Sequence, residues 1–205
     1  MNDQYSEEEA KLVNWFKDNR NNLIIGILLG VSIIIGFKYY NDTNVTQQYE
    51  ISYKYEKAVS KYKDSDFRDI LALSDELELE HPSNIYTGMT NLYVSKILHD
   101  DGKYNEAILK LDFIMNNNES EEIKMIAIVR TSRILVFLKE YEKARSYIEM
   151  SPGHDNNPIM NEILGDIELA KNNIIDARKY YKSSLNGNLV PNKRKIIENK
   201  LNSIN

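Results

Sequence analysis

No cysteine occurs in the 205 residues. That excludes disulfides, thiolate catalysis and thiolate-bound metals. A chain without thiols is comfortable in an oxidising compartment, although their absence does not assign it to one. An excess of basic residues is missing too. The net charge is -5 and the pI is near 5.4, the wrong sign for a protein that holds nucleic acid. The one basic cluster, Lys193, Arg194 and Lys195, falls in a short C-terminal helical stretch and reads as a solvated face. Only three histidines are present, His81, His99 and His154, far apart and without a second ligand at metal-binding spacing. There is no Gly-rich phosphate loop, no Gly-x-Ser-x-Gly and no His-Glu-x-x-His. Acidic groupings such as Glu76, Glu78 and Glu80, or Glu121 and Glu122, read as solvated helix faces. These gaps lead to the expectation of a non-enzymatic protein with no cofactor, no metal and no nucleic-acid partner.

Charge is also absent between Arg20 and Lys38, and there the gap is filled by an apolar run, Leu23 to Phe37. Fifteen to eighteen helical residues span roughly 23–27 Å, slightly short of a ~30 Å hydrocarbon layer. The flanks can make up the difference. Trp15 and Phe16 before the run, and Tyr39 and Tyr40 after it, suit the two membrane interfaces. Arg20 and Lys38 can snorkel. The run ends in bulky and polar residues, Lys38 to Asp42, and not in a small-residue cleavage site. An uncleaved spanning helix over residues 23–40 is therefore expected. Lys11, Lys17 and Arg20 precede it and only Lys38 follows closely, a bias that keeps the N-terminus in the cytoplasm. Gly26 and Gly30 form one small-xxx-small pair, and Ser32 and Gly36 another, as in helices that pack closely within membranes. The leader, residues 1–22, carries Ser6-Glu7-Glu8-Glu9 as a capping box and Leu12, Val13 and Phe16 at helical spacing. It reads as a short amphipathic helix.

From residue 45 to 205 the texture is helical, with about nine helices divided by short turn clusters. Gly102-Lys103-Tyr104-Asn105-Glu106-Ala107 recurs as Lys139-Glu140-Tyr141-Glu142-Lys143-Ala144, and more loosely as Asn172-Asn173-Ile174-Ile175-Asp176-Ala177. The alanines are 37 and 33 residues apart. A period near 34 with an aromatic or apolar residue three before a small one resembles the tetratricopeptide repeat. Ala107, Ala144 and Ala177 are expected to let the two helices of a hairpin lie close, with Tyr104 and Tyr141 filling the turn. Leu164-Gly165 matches the Leu-Gly pair of the repeat's first helix. An earlier copy runs from about Tyr49, with Ile70 at the alanine place and Pro82 at the closing proline. No copy carries the repeat's tryptophan. A last helix, about Pro191 to Ser203, is expected to cap the stack with a polar outer face formed by Lys193, Arg194, Lys195, Glu198 and Lys200. The fold class is all-α: one N-terminal transmembrane helix, then a tetratricopeptide-repeat-like solenoid. Stacked hairpins of this kind bind peptides or protein partners.

The whole layout resembles the YfgM family, ancillary subunits of the bacterial SecYEG translocon. The most specific feature is the anchor Ile25-Gly26-Ile27-Leu28-Leu29-Gly30-Val31, followed by Gly36-Phe37-Lys38-Tyr39-Tyr40-Asn41. The resemblance implies an inner-membrane protein with a cytoplasmic leader and a periplasmic repeat domain. It implies association with SecYEG and with the periplasmic chaperone PpiD, a role in receiving or handing on exported polypeptides, and restraint of the response regulator RcsB. It carries over no catalytic residue. An envelope assembly scaffold, or a signalling regulator not tied to secretion, would need the same tethered solenoid.

Overall fold

The computed structural model describes the backbone of residues 3–204 and the side chains of residues 9–41 and 45–204. The expected capping box over Ser6-Glu7-Glu8-Glu9 pairs Ser6 with Glu9, and the side chain of Ser6 lies outside the described residues. Helix α1 is Asp3–Lys63. No proline occurs before Pro82, and the three anchor glycines are too few to break a run of strong helix formers. The leader is therefore continuous with the anchor and is not a helix of its own.

By contacts the chain divides into two units, Met1–Tyr53 and Lys54–Asn205. The first holds only α1. Its apolar window has no buried residue, and the helix is long and apolar enough to cross a membrane. Ile27, Ile33 and Phe37 are 66%, 70% and 73% exposed. Side chains of this kind each gain about 2 kcal/mol from leaving water, and no other part of this unit provides that burial.

The second unit consists of helix hairpins. The end of α1, from Lys54, turns into α2 (Arg68–Glu80). Then come α3 (Ile85–Asp100) with α4 (Tyr104–Asn117), α5 (Glu121–Phe137) with α6 (Tyr141–Glu149), and α7 (Pro158–Ala170) with α8 (Ile174–Leu185). Helix α9 (Pro191–Asn202) follows α8. Consecutive helices pack together from α2 onward, and the first helices of successive hairpins also touch, α3 with α5 and α5 with α7.

One turn chemistry serves all four hairpins. Ser65, Gly102, Lys139 and Asn172 each adopt a left-handed conformation, with φ of 63°, 77°, 63° and 64°. The amide that follows each reaches back to the end of the first helix: Asp66 to Lys61 O at 3.0 Å, and Lys103 to Leu98 O, Glu140 to Leu135 O and Asn173 to Glu168 O at 2.8 Å. This satisfies carbonyls that a helix end leaves open. Only Gly102 takes the conformation without steric cost. Two residues after each left-handed residue stand Phe67, Tyr104, Tyr141 and Ile174. Three residues later stand Ile70, Ala107, Ala144 and Ala177, all fully buried.

The core keeps this register. Four residues beyond those positions lie Ser74, Leu111, Ile148 and Tyr181, and seven beyond lie Leu77, Ile114, Ser151 and Ser184, all buried. This is the i, i+4, i+7 stripe of a helix that buries one face. Twelve residues before each alanine place, on the first helix, stand Ala58, Ser95, Ser132 and Gly165, again all buried. A Cβ on Gly165 would lie 2.5 Å from the Tyr181 ring, so the largest core residue of this register faces its smallest.

The second helices are linked by a polar ladder. Lys110 of α4 donates to Glu78 at 2.9 Å and Asp75 at 3.3 Å on α2. The Tyr147 hydroxyl of α6 donates to Asp112 of α4 at 2.9 Å. Arg145 of α6 donates to the Tyr180 hydroxyl of α8 at 3.4 Å and also binds Glu168. Glu76 pairs with Lys54, and Glu121 with Lys124. The acidic groupings expected to be merely solvated thus partly serve as ion-pair partners.

Helix α9 differs from its expected form as well. Its N-terminal proline sits in the first turn, where the missing amide proton is not needed. However, Lys193 and Lys200 point inward. They hold Glu162 of α7 at 2.5 and 2.8 Å, and Lys200 also holds Asp166 at 2.7 Å. Arg194 donates to the carbonyls of Leu185 and Gly187. Only Lys195 and Glu198 of the five charged residues are exposed. The reason is Glu162, which is nearly fully buried and must be paired.

Candidate interaction groove

The first helices of the hairpins also carry half-buried aromatic and charged side chains. Tyr55 and Tyr62 lie seven residues apart at the end of α1, and Tyr86 and Tyr93 are seven apart on α3. Seven residues is two helical turns, so each pair shares a face. The faces meet. Tyr55 lies 5.3 Å from Tyr86 and 6.4 Å from Tyr93, and Tyr62 lies 4.7 Å from Tyr93, edge-on, all between ring centroids. Phe67 adds a ring 5.2 Å from Tyr62. These are the tilted and edge geometries that aromatic quadrupoles favour. All four tyrosines are half-buried, so each keeps part of its surface open. Burial, then the adjacent Tyr93 hydroxyl, pushes the Tyr55 phenol up to about 12.

Near the tyrosines, α3 and α5, with Leu111 of α4, line an open cavity of about 300 Å³. Ser95, Lys96, His99 and Asp100 line it from α3, and Arg130, Arg133 and Ile134 from α5. Most of this charge is already neutralised. Lys96 pairs with Asp100 at 2.6 Å, His99 lies 3.3 Å from the same carboxylate, and Arg133 reaches Glu162 at 3.2 Å. Arg130 is different. It donates to the Leu92 carbonyl at 2.6 Å, and no carboxylate of the described residues pairs with it. Burial depresses its pKa, and only the electron-rich Tyr62 and Tyr93 oppose that. The groove therefore combines tyrosine surface with one half-buried guanidinium that keeps unused donors.

The residues singled out from the sequence lie elsewhere. Ala107, Ala144 and Ala177 are fully buried between helices. Tyr104 and Tyr141 are half-buried and pack on the cores around Leu111 and Ile148. On α1, Trp15 and Phe16 are 53% and 56% exposed, and Tyr39 and Tyr40 are 75% and 68% exposed. Along one helix these two aromatic pairs stand about 35 Å apart. Cβ atoms placed on Gly26, Gly30 and Gly36 would meet nothing within 4 Å. Neither Tyr55, Tyr62 nor Arg130 emerged from the sequence as a site residue. The seven-residue spacing of the tyrosine pairs was the available signal. Among the described residues, no group of three or more His, Asp or Glu is placed to hold a metal.

A family model described as a tetratricopeptide repeat-like domain matches residues 13–205. The chain belongs to this family. The match starts at Val13, so it takes in the apolar helix as well as the hairpins. Three relatives align over nearly the whole chain, each named ancillary SecYEG translocon subunit. The Escherichia coli (strain K12) protein is 22% identical over 199 residues, 97% of this chain and 96% of that protein. The Buchnera aphidicola protein is 25% identical over 193 residues, covering 94% and 98%. The Haemophilus influenzae protein is 21% identical over 184 residues, covering 88% and 90%. The family resemblance drawn from the anchor and repeats is borne out. No solved structure matches the chain. Within this tetratricopeptide repeat-like family the departures of the chain are now explicable. Its small-residue place accepts Ala, Ser or Gly, and its turn accepts Ser, Lys or Asn in a left-handed conformation.

Proposed function

We propose that this chain is a non-enzymatic, membrane-anchored protein-interaction module that works beside the Sec translocon. The observation that carries this reading is the alignment of anchor and hairpins together with ancillary SecYEG translocon subunits. A shared repeat alone would suggest only partner binding. Residues 23–40 anchor the chain in the bacterial inner membrane, with Trp15, Phe16, Tyr39 and Tyr40 at the two interfaces. The leader, residues 1–22, lies in the cytoplasm, and residues 45–205 lie in the periplasm. There the repeat domain takes exported polypeptides from the channel and passes them to a chaperone, for which PpiD is the first candidate. Restraint of RcsB through the leader is a second activity of the same anchored chain.

A reporter fused after residue 205 tests the orientation. Periplasmic alkaline phosphatase activity is expected, and a fluorescent cytoplasmic fusion would overturn the reading. Crosslinking in intact membranes, followed by recovery through a C-terminal tag, tests the partners. Translocon subunits and PpiD are expected together, and recovery of neither contradicts the proposal.

A further inference from the structure

The proposed function leaves open what the repeat domain recognises in a passing chain, and the groove beside α3 and α5 supplies an answer. Arg130 is half-buried and lacks a carboxylate partner among the described residues, while its neighbours Lys96 and Arg133 are both paired. A half-buried cation gains most from an anion brought to it, because little water competes there. The cavity before it, about 300 Å³, is large enough for one side chain with its flanking backbone. The Ser95 hydroxyl is already committed to the Leu92 carbonyl at 3.0 Å, and the Leu92 carbonyl also holds Arg130. The guanidinium is therefore oriented before any ligand arrives. Arg133, paired with Glu162, shares the lining, and Tyr62 and Tyr93 lie near enough to Arg130 to act on its charge. The cavity opens to solvent, so an extended segment can reach it with one side chain.

We propose that this cavity receives an aspartate or glutamate side chain of an extended, unfolded polypeptide, with Arg130 as its ion-pair partner and the Tyr62–Tyr93 surface taking an adjacent apolar or aromatic residue. The proposal rests on the reading of this domain as a receiver of exported chains. It adds a preference: segments in which an acid neighbours an aromatic bind, and their amide counterparts do not. The chemistry is complementary, since the cavity places a half-buried guanidinium without a carboxylate partner among the described residues beside aromatic surface.

The test uses the full chain in lipid nanodiscs and a fluorescein-labelled heptapeptide, blocked at both ends, with one glutamate between two phenylalanines. Fluorescence anisotropy is expected to show about tenfold tighter binding than to the glutamine twin. Arg130→Gln is expected to abolish that difference, and Arg130→Lys to retain part of it. Circular dichroism checks that the variants keep their helix content. If Arg130→Gln unfolds, the glutamate–glutamine comparison on the unaltered chain decides alone. Equal binding of the two peptides overturns the site, as does a preference that survives in a folded Arg130→Gln protein. A third peptide, without glutamate but with a free C-terminal carboxylate, separates the other source of the charge. If it binds as well as the glutamate peptide, the cavity is a chain-end receptor and the proposal fails. Loss of the peptide preference with translocon crosslinks intact removes this site and leaves the proposed function standing. The reverse result removes the proposed function and leaves the site.

Discussion

Gly165 and Tyr181 show what a single position decides here. A methyl group on Gly165 would collide with a ring that is fully buried and whose hydroxyl donates to Asp166 at 2.7 Å. The ring cannot swing away without losing that bond. Gly165→Ala is expected to cost about 1–3 kcal/mol by overpacking. In a Tyr181→Leu background the same change is expected to cost much less, which a urea-unfolding double-mutant cycle reads directly. Ser132 occupies the equivalent place on α5 and makes the opposite case. It is fully buried, and its hydroxyl finds no hydrogen-bond partner among the described residues. Ser132→Ala removes an unsatisfied group without opening a cavity of any size. It is expected to raise stability by up to about 1 kcal/mol in the same unfolding assay. Neither position was fully legible in the sequence. Leu164-Gly165 was recognisable as a motif, but Ala58, Ser95 and Ser132 keep the small volume while changing the letter. Packing selects volume, and a letter pattern does not report it.

At the scale of elements, α9 is tied to α7 by charge, while Ile197, its fully buried apolar residue, packs with Ala177 and Tyr181 of α8. Burial alone would raise the Glu162 pKa. The hydrogen bonds and charges of Lys193 and Lys200 more than reverse that, so the carboxyl is held below its ordinary 4.5. The sign follows from the depression. The contribution is fully present above about pH 4.5 and is lost as pH falls through the lower folded value. Relative to Glu162→Gln, the parent chain is expected to show its largest stability advantage near neutral pH. That advantage shrinks below about pH 4, measured as the difference in urea midpoint. A constant difference across that range would show that α9 is held by packing alone. The lysines were read from sequence as an outer polar face because a helical pattern reveals periodicity and not partners. Glu162 lies about thirty residues upstream, and only the fold brings it beneath Lys193. The turns, in contrast, were largely readable: Gly102 and the aspartate and asparagine clusters marked three of the four hairpin bends, while the fourth, at Lys139, showed only through the recurring Lys139-Glu140-Tyr141 register and gave no hint of its left-handed backbone.

The molecule as a whole joins an apolar helix whose apolar window is unburied to a set of hairpins with buried cores of their own. Its all-α class and its repeat spacing were visible in the sequence, because the alanine place, the turn and the apolar run are local features. The groove was not visible, because it is made where Tyr62, Tyr93 and Arg130 from three different helices converge. The proposed work beside a translocon depends on the uncovered helix as well as on that groove. The most direct measurement places a photocrosslinking amino acid at Ile33 or Phe37, both largely exposed on α1, in the full chain in living cells. The expected result is an adduct with subunits of the protein-conducting channel, formed from the anchor and lost when the apolar run is exchanged for an unrelated spanning sequence. Adducts with lipid alone, or channel adducts that survive that exchange unchanged, would contradict it.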